Sequence, residues 1–481
     1  MATETTKQSL VNTLTDEQCR QARLARDARF DGRFFVAVKT TGIFCRPICP
    51  ASPPLEENVS YFAHAATALH QGFRPCLRCR PDSAPQSYAW RGVETTVQRA
   101  IALINQGALQ HQTLAKLSER LGVSDRHLRQ LFQRFIGISP KQFEASRRLL
   151  LAKQLLHQSH LPITQIALAS GFNSVRRFND AFTSTLQLQP RQIRRRQEVP
   201  STVPTVTLQL AYRPPFNWAQ MLAFLRARAI DGLEQVGDHS YARTIELNGQ
   251  KTRFDVRHHE SANALQLSVQ LNDLSALPLL IAKIRRLFDL DADSHVIDGH
   301  LKQAGLTHGF VSGIRLPGIW SVFEAGVRAI LGQQVSVKAA RNLVQQVVQE
   351  LGERLPQQQT DTPDANPPTK LFPTPQAVAE SDLMFLKMPN SRRQSLLNLA
   401  SYCRQHGDSQ PDDWLALKGI GPWTVDYVKL RGLSNPNIFL KSDLGVKNAL
   451  KASGLSLEAA EVSPWGSYAT FQLWNQLGSQ P

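Results

Sequence analysis

The sequence predicts a multidomain α+β chain in four parts: a small cysteine-bearing α/β domain (1–85), an all-α domain of tandem helix-turn-helix units (90–197), a small α+β domain (205–290) and an all-α domain around a helix-hairpin-helix (291–481). Three observations carry this division. With 481 residues, 42% of them hydrophobic, the chain exceeds one core and fits about three domains by length. The stretches Arg80–Gln86 (RPDSAPQ) and Glu198–Thr205 (EVPSTVPT) read as linkers. The hydrophobic pattern also changes character along the chain. It is helical with Gly and Pro breaks over Val93–Arg196, alternates at Val206–Leu210 and Leu265–Val269 around a helical stretch Trp218–Ala229, and is helical again to the end. The polar tract Leu355–Lys370 lies between helical patterns of related chemistry and reads as a surface loop within the last domain.

In the first part, Cys45, Cys49, Cys76 and Cys79 fall as C-x3-C, a gap of 26 residues, then C-x2-C. Two short cysteine pairs joined by a loop close a tetrahedral zinc site with little chain strain. Met1–Leu10 is polar, and no apolar run of about 18 residues occurs, so neither a secretory signal nor a membrane span is expected. The expected location is cytoplasmic and nucleoid-associated, where clustered thiols bind metal or do redox chemistry rather than form disulfides. Cys19 and Cys403 stand apart from the cluster. A net charge of +16, with arginine clustered as in Arg191–Arg196 (RQIRRR), suits a polyanionic partner.

By spacing alone the four cysteines read first as a structural zinc knuckle rather than a reactive one. Their flanks are more specific: FDGRFFVAVKTTGIFCRPIC (Phe30–Cys49) with GFRPCLRC (Gly72–Cys79) closely resembles the N-terminal domain of the alkylation-response protein Ada over about the first 85 residues. The resemblance implies that Cys45 accepts a methyl group from a methyl phosphotriester of the DNA backbone while Cys49, Cys76 and Cys79 hold Zn2+. It also implies that Thr41, Arg46, Arg74 and Arg78 face the DNA. The chemistry is sound, because zinc keeps sulfur as thiolate and the arginines attract phosphate. Four thiolates around Zn2+ carry two net negative charges, and methylating one leaves a single charge, so methylation is expected to strengthen DNA binding.

TLAKLSERLGVSDRHLRQLFQRFIG (Thr113–Gly137) reads as helix, Gly-Val turn, Ser124 N-cap and a second helix with exposed cations. A second unit, ITQIALASGFNSVRRFNDAFTSTL, follows at Ile163–Leu186. The tandem resembles the AraC-type DNA-binding domain, in which two such units enter successive major grooves. Candidate base contacts on the second helices are Arg126, His127 and Arg129, then Asn173, Ser174, Arg176 and Arg177. Some of these equally fit a solvated helix face.

In LKGIGPWTVDYVKLRG (Leu417–Gly432), Gly419 and Gly421 sit between helical stretches, the pattern of a hairpin that offers backbone N–H groups to a phosphate. Together with LPGIWSVFEAGVRAILGQQVSV (Leu316–Val337) and FLKSDLGVK (Phe439–Lys447), the half from about Thr205 resembles the AlkA-type 3-methyladenine DNA glycosylase II. Carried over by motif, Asp443 is the essential aspartate; the position equally suits a helix N-cap. Its carboxylate would stabilise positive charge developing at C1′ and help water attack. Trp423, Tyr427 and Trp474 would form the pocket, favouring cationic alkylated purines by cation–π attraction of about 0.5 to 2 kcal/mol per contact. Gln334 falls where a relative has an apolar wedge, and Thr424 falls in the DNA-facing hairpin. Lys441 and Ser442 depart from the residues usual before the aspartate. Strand-cleaving relatives carry a lysine at the position of Trp423, so a monofunctional glycosylase is expected.

The implied function is an alkylation sensor and transcriptional activator fused to a glycosylase that excises 3-methyladenine and 7-methylguanine. Its expected partners are alkylated and promoter DNA and RNA polymerase, and the expected state is a monomer. Ada proteins usually carry a further methyltransferase domain around Pro-Cys-His-Arg, which this sequence lacks, so repair of O6-methylguanine is not expected. Two other readings stand: a regulator whose glycosylase half only binds DNA, and an enzyme that its front half merely targets to damage.

Overall fold

The computed structural model describes residues 14–76, 78, 79, 81, 95–105, 107–194, 205–355, 367–407 and 410–478. Most of both expected linkers, and 356–366 of the polar tract, lie outside the described residues. The chain forms two compact units, Met1–His157 with Ile166–Arg195, and Gln158–Gln165 with Arg196–Pro481.

In the first unit, a four-stranded sheet of order β3-β1-β2-β4 is built from β1 (Phe35–Val38), β2 (Ile43–Cys45), β3 (Val59–Phe62) and β4 (Arg74–Pro75). Gly42, at φ +63°, turns β1 into its antiparallel partner β2. The parallel pairing of β2 with β4 places Ile43 opposite Arg74 and Phe44 opposite Pro75. One residue further on stand Cys45, the last residue of β2, and Cys76, so this register brings the two cysteine pairs together. Cys19, Ala22, Phe34 and Val36 are buried together beneath the sheet, and Ala37, Phe44, Ala68 and Leu69 are buried as well.

The helix-turn-helix units repeat one local design. Ser124 caps helix Asp125–Phe135 by accepting from His127 N at 3.2 Å, and Ser174 caps helix Val175–Leu186 from Arg177 N at 3.2 Å. The preceding turns pass through Gly122 (φ +69°) and Gly171 (φ +82°). Leu128 and Phe132 are buried on the first of these helices and Phe178 and Phe182 on the second, leaving the arginine faces outward.

The second unit opens with an antiparallel sheet of order β5-β9-β8-β7-β6: β5 (Thr205–Ala211), β6 (Glu234–Val236), β7 (Ser240–Leu247), β8 (Gln250–His259) and β9 (Ala264–Gln270). Helix Trp218–Arg226 follows β5, as its periodicity predicts. Ile230 and Leu233 from this region share one core with Phe323, Ile330, Leu396 and Trp414 of the following helices. A buried ring of charges ties sheet to helix: Arg243 pairs with Glu234 (3.3 Å) and Glu324, and Arg328 with Glu324 (2.9 Å) and Glu234 (2.8 Å). Removing one member would strand its partner's charge in the core, so the ring holds the sheet and helix in one alignment.

Candidate functional site

Around the cysteines, all four Sγ atoms lie within 4.8 Å of one another, a donor set that fits Zn2+. The sulfurs are not equivalent. Cys79 Sγ accepts from Arg46 N and Cys76 Sγ from Arg78 N, each at 3.3 Å. Cys45 receives no backbone N–H among the described residues and is half-buried, whereas Cys76 and Cys79 are buried. Arg46, expected to meet phosphate, is committed elsewhere. Its Nε donates to Asp31 Oδ1 at 2.7 Å, Nη2 pairs with Oδ2, and Nη1 donates to the Cys79 carbonyl at 3.3 Å. Asp31 is 2% exposed, and a charge at that depth keeps its partner, so Arg46 is a strut of the cluster. Arg74 and Arg78 make no ion pair among the described residues, and Thr41 is exposed on the β1–β2 turn.

Arg126, His127, Arg129, Asn173, Ser174, Arg176 and Arg177 are all exposed. Two carry local duties as well: Ser174 is an N-cap, and Arg129 lies 3.9 Å from Asp125.

The second unit holds a cleft of about 1180 Å3 whose walls include Gln334, Trp423, Tyr427, Arg431, Asp443 and Trp474. Asp443 caps helix Leu444–Ser453, its Oδ1 accepting from Val446 N at 3.2 Å. The same oxygen accepts from Trp474 Nε1 at 2.8 Å, and Oδ2 accepts from Trp423 Nε1 at 3.1 Å. Asp443 is therefore an N-cap that also faces the cleft, and three donors fix its plane. The indoles acquire a task that their sequence did not signal, since they orient the carboxylate besides walling the pocket. Trp423 and Tyr427 stack at 5.3 Å and 26°, which uses one face of each ring, and Trp474 stands 6.5 Å from Tyr427. Among the described residues lining the cleft there is no lysine.

At the cleft's edge, helix Pro422–Gly432 starts from the hairpin. Gly419 has φ +89°, and a Cβ there would lie 1.8 Å from Ser395 Oγ. The N–H groups of Gly419 and Gly421 have no acceptor among the described residues. Thr424 corrects its expected place at the DNA: it is 2% exposed, and its Oγ1 accepts from Gln333 Nε2 at 3.1 Å. Gln333, missed in the sequence, thereby ties the hairpin to the turn that holds Gln334, which is exposed at φ +57°. Replacing Gly419 with Ala should cost about 3 kcal/mol, combining left-handed backbone strain with the Ser395 clash, and should be read by denaturant unfolding. Unchanged stability would contradict this geometry.

A zinc-thiolate cluster, tandem helix-turn-helix units and a hairpin-flanked cleft with an indole-bound aspartate define a DNA-binding repair protein. Family models match in the same order: the metal binding domain of Ada over 18–82, a helix-turn-helix domain over 117–196 and the AlkA N-terminal domain over 207–321. The probable bifunctional transcriptional activator/DNA repair enzyme AlkA of Mycobacterium tuberculosis (strain ATCC 25618 / H37Rv) is 34% identical over 488 residues, covering 96% of each chain. DNA-3-methyladenine glycosylase 2 of Escherichia coli (strain K12) is 36% identical over 291 residues, 56% of this chain and 98% of that protein. The bifunctional transcriptional activator/DNA repair enzyme Ada of Escherichia coli (strain K12) is 38% identical over 181 residues, 38% of this chain and 49% of that protein. The chain belongs to the family of bifunctional transcriptional activator/DNA repair enzymes of the AlkA type. Its four cysteines are a zinc site and its partner is DNA. Among the described residues no helix is long and apolar enough to cross a membrane.

Proposed function

We propose that the second unit is a monofunctional glycosylase that releases 3-methyladenine and 7-methylguanine, and that Cys45 takes the methyl group of a backbone phosphotriester and so activates DNA binding by the helix-turn-helix units. The observation that carries the enzyme reading is the Asp443 carboxylate, pinned by Trp423, Trp474 and Val446 at the wall of the cleft. An extruded base would enter this cleft, with Gln334 beside the gap it leaves and the Gly419–Gly421 hairpin on the flanking phosphate. Asp443 then stands where charge builds at C1′, a role that needs a fixed acceptor rather than a mobile one.

The methyl-acceptor reading rests on the unequal sulfurs. A thiolate that accepts an N–H bond gives up part of its donor strength, so Cys45, which accepts none, is a stronger nucleophile than Cys76 and Cys79. When bound, zinc keeps that sulfur deprotonated. Arg74 and Arg78 can hold the phosphotriester's neighbouring phosphates.

Incubated with a methylated duplex, the wild type should release alkylated purines and leave the strand intact at the abasic site. Borohydride should trap no covalent enzyme–DNA adduct. A trapped adduct would assign strand-cleaving chemistry instead, and the absence of base release would favour a regulator whose second unit only binds DNA.

A further inference from the structure

Two guanidinium groups stand at the cleft without a carboxylate partner. The charges of Arg243, Arg328, Glu234 and Glu324 cancel within their ring, whereas Arg431, 3% exposed, and Arg228 make no ion pair among the described residues. Arg431 Nε donates to the Pro317 carbonyl at 2.6 Å, and its guanidinium lies 4.7 Å from the Phe224 ring, which also carries Arg228 at 3.7 Å. Burial first, and then the like charge of Arg431, lowers Arg228 to about 10, so it stays charged at neutral pH.

The remaining arm of Arg431 decides a proton's direction. Its Nη1 lies 3.2 Å from the Tyr427 hydroxyl oxygen, and a guanidinium can only donate. That contact occupies a lone pair of the phenol and leaves its O–H to donate elsewhere. Among the described residues it has no acceptor, although Tyr427 walls the cleft. A half-buried hydroxyl beside two cations, with its proton unclaimed, is built to receive an electron-rich atom from a guest.

We propose that the Tyr427 hydroxyl, aimed by Arg431, donates a hydrogen bond to the edge of the extruded base and so selects lesions that present a carbonyl oxygen there over those that present an amino group. The inference rests on the glycosylase reading and deepens it: the aromatic wall supplies stacking, and this one proton supplies discrimination. An amino group facing it would set donor against donor beside a positive wall.

Tyr427→Phe keeps the ring and its stack on Trp423 while removing only the hydroxyl. In single-turnover assays on one alkylated duplex, release of 7-methylguanine, a 6-oxo base, should fall about tenfold relative to release of 3-methyladenine, a 6-amino base. A purely structural role would lower both alike. An unchanged ratio, or an equal fall on both, overturns the proposal, whereas a wild type that releases neither base overturns the glycosylase reading itself. On the wild type, free 7-methylhypoxanthine should inhibit more strongly than free 7-methyladenine, in which an amino group and a bare N1 replace the carbonyl and the N1–H; equal inhibition would count against the proposal even if the variant misfolded.

Discussion

Asp443→Asn should lower single-turnover base release by roughly 10^2 to 10^3-fold, the range seen when one preorganised electrostatic contact to a transition state is lost. Asparagine is close in size and can still cap the helix through one oxygen, so Val446 N and Trp474 Nε1 keep an acceptor. Its amide nitrogen then meets the Trp423 N–H, two donors face to face, and the negative charge is gone. Binding to undamaged duplex should persist, since neither the hairpin N–H groups nor the helix-turn-helix faces are touched. The loss therefore belongs in kcat rather than in affinity. Base release at the wild-type rate would remove Asp443 from the chemistry and leave the cleft a binding surface.

The sequence made the pieces of this cleft legible and left their mutual use hidden. Trp423 and Tyr427, four residues apart on one helix, stack as their spacing implies. No periodicity, however, announces that both indole N–H groups turn back on Asp443, because hydrogen bonds between residues 20 and 31 positions apart depend on the packed fold. Thr424 shows the converse. A hydroxyl beside a phosphate-binding hairpin suggests a contact with DNA, yet the helix turns it inward to Gln333. Of the second sheet, β5 and β9 were visible as alternating runs. The β7–β8 hairpin was not identified, although Asn248–Gly249, both at positive φ, is the turn that a two-residue hairpin selects. In the first unit the cysteine spacing announced the metal, while the parallel β2–β4 register that gathers the ligands is a long-range pairing that no local pattern encodes. Likewise, only the fold shows that Asp31 lies buried within reach of Arg46.

Cys45→Ala should abolish methyl transfer from phosphotriesters outright, because Cys45 is half-exposed and accepts no N–H bond, whereas Cys76 and Cys79 are buried and each accept one. The effect on DNA binding is less obvious and follows from charge. Three thiolates with Zn2+ and a neutral water carry one net negative charge, the same as a wild-type cluster with one thioether. The variant should therefore bind promoter DNA near the affinity of methylated wild type, and alkylating treatment should not raise it further. Unmethylated wild type, with one more negative charge facing phosphates, should bind about tenfold more weakly, with a gap that narrows as salt screens it. Titrations at two ionic strengths, before and after exposure to a methylated duplex, read both effects. If Cys45→Ala bound as weakly as unmethylated wild type, charge could not be the switch, and a shape change at the thioether would have to replace it. If it still gained affinity on methylation, another sulfur would be the acceptor, and the unequal hydrogen bonding of the four cysteines would have no bearing on which one reacts.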